Sequence, residues 1–320
     1  MGALLASAID GDRRALARLL SAAERGGDDG RAAAALAYRS ATEADTVGIT
    51  GAPGAGKSTL VDRLIAVARG DGVARLAVLA VDPTSPFSGG AILGDRVRMQ
   101  GHDLDAGVFI RSMASRGHLG GLAVAVPEAI RLFAAVGTLL VIVETVGVGQ
   151  VEVEVASATD TTVVVVNPKW GDAIQANKAG LLETADIFVV NKADMPGADQ
   201  SRRDLEQMLD LSTRGDWRPP ILTTVAATGE GIEALWTEIG RHRTYLEQAG
   251  LLESSRRQRL QREFRLVLRA RIEKEIDRLG SEPRFAELDD AVADHRLDPY
   301  AAAELLLAHV ADDDRPRDGD

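Results

Sequence analysis

Eight consecutive residues, Gly51-Ala52-Pro53-Gly54-Ala55-Gly56-Lys57-Ser58, carry the densest chemistry in the chain. They fit the spacing G-x4-G-K-[ST], in which glycines let the backbone close round a phosphate chain with its N–H groups turned inward. The N-terminus of a following helix favours the same anion. In this reading Lys57 spans the β- and γ-phosphates of a nucleoside triphosphate, the Ser58 hydroxyl ligates Mg2+, and Thr59 extends the cradle into the first helical turn. The flanks agree: TVGIT before the loop reads as a strand and 58–69 after it as an amphipathic helix.

A second constellation names the base. Asn191-Lys192-Ala193-Asp194 follows the apolar run DIFVV and has the form N-K-x-D. Guanine presents two adjacent donors, N1–H and the 2-amino group, and one carboxylate accepts both, so Asp194 favours GTP over ATP. After a further apolar run, Val225, Ala226 and Ala227 offer backbone N–H groups for the guanine O6.

Carboxylates at strand ends complete the set. Asp82 closes LAVLAV and Glu144 closes LLVIV, positions suited to Mg2+ or its waters. Glu144-Thr145-Val146-Gly147 resembles a γ-phosphate-sensing D-x-x-G segment with Glu for Asp, in which the Gly147 N–H meets the γ-phosphate. The intervening 82–96, dense in Pro, Ser and Gly, reads as a first switch loop, with Asp95 opening the next helix. Asp95 can equally be a helix N-terminal charge and Glu144 a solvated strand end. Gln150 is a candidate for orienting water. Arg111 and Arg116 are open between charge stabilisation, partner contact and plain surface cations, and His118 reads as structural or partner-contacting.

These residues need a scaffold. Between Thr46 and about Leu235, seven apolar runs (TVGIT, LAVLAVD, GVFI, LLVIVE, TTVVVVN, DIFVVN and PILTTV) alternate with helical stretches. Continuous Val/Ile/Leu runs of this length suit strands buried on both faces, so the expected fold is α/β: a mostly parallel sheet of the P-loop NTPase kind, helices on both faces. Leu4 to Leu20 predict an amphipathic helix broken near Gly11, and 31–41 a second one. Leu260, Phe264, Val267, Ile272, Ile276 and Leu279 predict helix over 241–280, and another is expected over 299–310. The expected division is a helical extension over 1–45, the nucleotide domain over 46–240, a helical and dimerising region over 241–310, and a disordered tail over 311–320.

Composition restricts the class. The chain has 320 residues, 37 basic against 48 acidic, and a formal net charge of −11. Such a surface repels a phosphate backbone, so nucleic acid is not the expected partner. Three Trp, three Tyr and six Phe are few for base-stacking platforms. No apolar run approaches the ~20 residues that span a bilayer, and the first residues lack a basic stretch followed by a long apolar one, so neither membrane insertion nor a signal peptide is expected. With no cysteine there is no disulfide or thiolate site, which fits a cytoplasmic location.

Several longer segments carry a resemblance: VDPTSPFSGGAILGDRVRM, FIRSMASRGHLGG, ETVGVGQVEVEV, GDAIQANKAGLLETADIFVVNKAD and PPILTTVAATGEGI. Together with the phosphate loop they make the chain similar to the MeaB/ArgK-type P-loop GTPases. The resemblance implies a GTP-hydrolysing chaperone of an adenosylcobalamin-dependent acyl-CoA mutase, of the methylmalonyl-CoA mutase type, which gates cofactor loading and protects the mutase. It also implies homodimers through the C-terminal helices, and Mg2+ and switch carboxylates at Asp82, Asp95 and Glu144. A further mobile element of the family matches 167–178, with Asp172 and Lys178 at its polar positions. Here Lys169-Trp170 stands where a Pro-Gly pair is more usual. A nickel-metallochaperone GTPase would need soft or imidazole ligands, and the five histidines (102, 118, 242, 295 and 309) are scattered. An ATP-dependent kinase linked to basic amino-acid transport is opposed by Asp194.

Overall fold

Alternation inside the apolar runs decides how the layers form. The computed structural model describes residues 1–40, 43–83, 101–102, 104–115, 121–145, 157–168, 184–211 and 216–313. Its strands are β1 (Asp45–Gly51), β2 (Leu76–Pro83), β3 (Val108–Ser115), β4 (Leu140–Thr145), β5 (Thr161–Val166), β6 (Ile187–Asn191) and β7 (Ile221–Thr224). Each falls on one of the seven apolar runs. They form one parallel sheet in the order β3-β2-β4-β1-β5-β6-β7.

Along β2, Leu76 and Val78 face one core while Ala77, Leu79 and Val81 face another, the period-2 geometry of a strand buried on both sides. β4 divides likewise, with Val141 and Val143 on one face and Ile142 on the other. Helix α4 (Lys57–Gly70) and α7 (Ile232–Gln248) cover one face through Leu60, Leu64, Ile65, Leu235 and Ile239. The opposite face is covered by α5 (Gly121–Ala135) and by the N-terminal α1 (Gly2–Ile9), α2 (Arg13–Arg25) and α3 (Gly27–Ser40). Beside them α6 (Ala198–Leu211) packs Leu205 and Leu209 on Phe188 and Val190. Thus α1–α3 share one core with the sheet. Asp12 caps α2 by accepting from the Arg14 and Ala15 N–H groups at 2.8 and 3.2 Å, which ends the break near Gly11.

The remaining helices are α8 (Leu251–Leu279), α9 (Pro283–Ala293) and α10 (Pro299–Asp313). The chain divides into two compact units, Met1–Phe264 and Arg265–Asp320. The boundary expected after residue 240 therefore falls inside α7, whose apolar side belongs to the sheet's core. Helix also continues through Asp313, three residues into the expected tail, and 314–320 lie outside the described residues.

Within the first unit, α8 is fastened to the start of β5. Asp160 accepts from Arg256 at 2.8 Å and from Arg259, and Arg256 also reaches Glu43 and the Ala44 carbonyl. Burial pushes the Asp160 carboxyl up, but hydrogen bonds and charge from the two guanidinium groups outweigh it and hold it below the usual carboxylate range. Arg131 of α5 pairs with Glu263 of α8. Next to them burial pushes Glu128 up to about 7, with Arg131 opposing and Glu263 reinforcing. His242, 2% exposed, accepts or donates at Nδ1 with Thr161 Oγ1 over 2.9 Å and lies 3.4 Å from Asp186. Burial lowers its pKa to about 4, so near neutral pH the contact with Asp186 is made by an uncharged ring. Among the described residues no helix is long and apolar enough to cross a membrane.

Candidate functional site

Parallel strands bring their carboxyl ends to one edge, where the loops after β1, β6 and β7 meet at Asn191. The loop after β1 is built around two glycines, Gly51 and Gly56, at which an added side chain would collide with its neighbours. Gly51 has φ of 135° and Gly56 of 91°, backbone that side chains rarely adopt. A Cβ on Gly51 would run into the Val165 carbonyl of β5, and one on Gly56 into Asn191 Nδ2. Gly54, with φ of 72°, has open space beside it. Ala55 is fully buried beneath the loop, while Pro53 and Gly54 are its exposed outer turn.

Lys57 opens α4 and is 6% exposed. Its ammonium donates to the Gly51 and Ala52 carbonyls at 2.8 and 3.0 Å, so the charge is held inside the loop. Ser58 Oγ donates to Glu144 Oε1 at 2.6 Å. Glu144 is 1% exposed at the end of β4, in register with Ile49 of β1 and Ala80 of β2. This excludes the solvated strand end that the sequence left open. Thr145 Oγ1 donates to Thr50 Oγ1 at 3.0 Å and ties the same two strand ends together. Thr59, next in the helix, is exposed. Asp82 lies near the end of β2 opposite Ala114; its side chain is outside the described residues. Asp95, Arg116, His118, Gly147, Gln150, Lys169, Trp170, Asp172 and Lys178 also lie outside them.

Asn191 joins the phosphate loop to the base-reading turn. Its Nδ2 donates to the Ala55 carbonyl at 2.7 Å, and its Oδ1 accepts from Thr224 Oγ1 and the Ala226 N–H, each at 3.0 Å. Lys192 follows in the left-handed region with φ of 60°, a conformation that costs a residue with a side chain about 1–2 kcal/mol and tends to persist at functional sites. Its Cε comes within 3.9 Å of where a Gly56 Cβ would stand, so the lysine stem runs past the phosphate loop. Asp194 is exposed, with no recorded hydrogen-bond partner among the described residues.

The turn after β7 narrows the expectation for guanine O6. The Val225 N–H donates to the Glu230 carbonyl and the Ala226 N–H to Asn191, both at 3.0 Å. Of the three expected N–H donors, only that of Ala227 has no recorded acceptor among the described residues. Arg111 is also settled: its Nη2 reaches Ser21 Oγ at 3.1 Å and Glu24 Oε2 at 2.7 Å. It fastens β3 to α2, a contact that no spacing rule in the sequence foreshadows.

The cradle at Gly51 and Gly56 has no room for side chains, and the Ser58–Glu144 pair supplies hard oxygen donors. Both suit a phosphate chain with Mg2+. The sheet order, the loop after the central β1 and the strand-end carboxylate define a P-loop nucleotide hydrolase. The family model for "Methylmalonyl Co-A mutase-associated GTPase MeaB" matches residues 16–279, and the chain belongs to this family. A putative GTPase of Pyrococcus abyssi is 47% identical over 304 residues, covering 94% of each protein. The mouse mitochondrial methylmalonic aciduria type A homolog is 34% identical over 271 residues, which is 82% of this chain and 64% of that protein. The crystal structure of LAO/AO transport system kinase is similar with a TM-score of 0.70 and 29% identity, over 97% of this chain and 99% of that one.

Proposed function

We propose that this GTPase is Mg2+-dependent and specific for GTP, and that it serves in the cytoplasm as a chaperone of an adenosylcobalamin-dependent acyl-CoA mutase of the methylmalonyl-CoA mutase type. The observation that carries the nucleotide reading is Asn191, whose one amide engages both the phosphate loop at Ala55 and the base turn at Ala226. A triphosphate lying between them has its phosphates against the backbone N–H groups of 51–58 and its base at Asp194. Two adjacent guanine donors, N1–H and the 2-amino group, match that carboxylate, and adenine offers no such pair.

Ser58, Glu144, Asp82 and Asp95 are the residues that would hold Mg2+, which when bound neutralises charge on the β- and γ-phosphates. Lys57 places its ammonium at the same phosphates, so charge accumulating in phosphoryl transfer meets a fixed cation. In this reading Gly147 senses the γ-phosphate, and Gln150 orients the attacking water.

The mutase role is supported by the family's own description and by the likeness to the methylmalonic aciduria type A homolog. Homodimer formation is supported by α8, which exposes Leu260, Phe264, Leu268, Ile272 and Ile276 at steps of four. The kinase named in the structural comparison is not the reading favoured here, because Asp194 selects guanine. The test is co-purification with adenosylcobalamin-dependent mutases in GDP or a non-hydrolysable GTP analogue. Nucleotide-dependent capture of a mutase supports the proposal, and failure to retain any mutase in either state overturns it.

A further inference from the structure

The phosphate-loop helix also touches the base turn directly, through a residue outside every motif in the sequence. Arg63 lies on α4, six residues beyond Lys57, and α4 runs beside α7 on one face of the sheet. The turn that leads into α7 therefore comes within reach of the Arg63 side chain. Its Nε donates to the Ala226 carbonyl at 3.3 Å and its Nη2 to the Ala227 carbonyl at 3.0 Å, a fork closed on two consecutive peptide groups.

That grip has a geometric result. Among the described residues every peptide bond is trans, so a carbonyl and the N–H that follows it point in opposite directions from one rigid plane. Fixing the Ala226 carbonyl toward α4 aims the Ala227 N–H away from it. This N–H has no recorded acceptor among the described residues, while those of Val225 and Ala226 are engaged within the protein. Asn191 holds the preceding Ala226 N–H from the other side. Ala226 is thus held by two side chains, Asn191 at the end of β6 on its N–H and Arg63 of α4 on its carbonyl.

The geometry points to Arg63 as the residue that positions the Ala227 N–H for the guanine O6, an assignment that rests on the guanine reading above. Arg63 touches no nucleotide atom in this role. It acts through the backbone it holds, and it makes the base turn's orientation depend on the helix that begins at the phosphates. A lysine in its place offers a compact donor group and cannot close a planar fork on both carbonyls, so it restores the effect in part.

The experiment compares GDP, IDP and 2-aminopurine riboside diphosphate on the parent protein, Arg63→Ala and Arg63→Lys, by equilibrium binding. GDP and IDP carry O6 and the third nucleotide lacks it. For Arg63→Ala, GDP and IDP are expected to weaken by about three- to tenfold, the span of one or two hydrogen bonds made or lost. The 2-aminopurine nucleotide should hold its parent affinity, and Arg63→Lys should fall between. In turnover the loss appears in KM for GTP more than in kcat. Equal weakening of all three nucleotides means a loosened loop without O6 specificity and overturns the assignment, as does unchanged GDP binding. A parent protein that binds ADP as well as GDP defeats the guanine reading itself and removes the basis for the role of Arg63.

Discussion

Gly56→Ala and Gly54→Ala make a matched pair, since both glycines hold left-handed backbone in the same loop but only one is enclosed. At either position an alanine pays for its φ, about 1 kcal/mol or somewhat more. At 56 the added Cβ also collides with Asn191 Nδ2, so the amide must leave the Ala55 carbonyl that it reaches at 2.7 Å. A buried hydrogen bond of this kind contributes about 1–1.5 kcal/mol net. Gly56→Ala should therefore destabilise the nucleotide-free protein by about 2–3 kcal/mol, and Gly54→Ala by about 1. For a body of this size, that corresponds to falls in Tm of about 4–6 °C and about 2 °C. Thermal unfolding followed by circular dichroism without nucleotide reads both. Equal shifts for the two variants would refute the claim that Asn191 and the phosphate loop are packed against each other. With GDP added, Gly56→Ala should also lose affinity, because the same displacement frees the Ala226 N–H.

Three further outcomes are expected. Asp194→Asn should weaken GTP and strengthen xanthosine triphosphate binding, since an amide donor replaces one acceptor; a competition assay with both nucleotides reads the exchange, and unchanged preference refutes the base assignment. Lys57→Ala should reduce GTP hydrolysis by about 100-fold or more, the scale for removing a fixed charge at a reacting centre, while the circular dichroism spectrum stays that of the parent. Glu128, with a folded pKa raised to about 7, stabilises the fold when neutral. That contribution is complete below its ordinary value of 4.5 and is lost as pH rises through about 7. Glu128→Gln should accordingly raise Tm at pH 8 and leave it nearly unchanged at pH 4.5; the reverse order would contradict the sign.

Much of this was legible in the sequence because the fold repeats one rule. Each of the seven apolar runs is a strand, since a parallel sheet covered on both faces requires uninterrupted Val, Ile and Leu. The phosphate loop and N-K-x-D are local spacings, so their position at strand ends could be read directly. What escaped depends on contacts between distant residues. Arg63 and Arg111 are surface-type residues by sequence, and only the packing of α4 beside α7, and of α2 over β3, gives them partners. Helix α9 was not anticipated because PRFAELDDAVA mixes acids with few large apolar residues, and Leu288 is its buried side chain. Helix α3 begins at Gly27, earlier than the start expected at 31, with Asp28 and Asp29 in the first turn, where the helix dipole favours acids. The long helix expected over 241–280 is interrupted at Ala249–Gly250, with Gly250 at φ of 65°.

The two ends of the sheet differ in how they would meet a stray extended chain. Among the described strands, β7 closes one end with only four residues, entered through Pro219 and Pro220, which have no N–H to offer a newcomer. β3 closes the other with eight residues. Strand addition between partly opened copies is therefore favoured at β3, and charges introduced along its outer edge would protect the protein against aggregation on refolding.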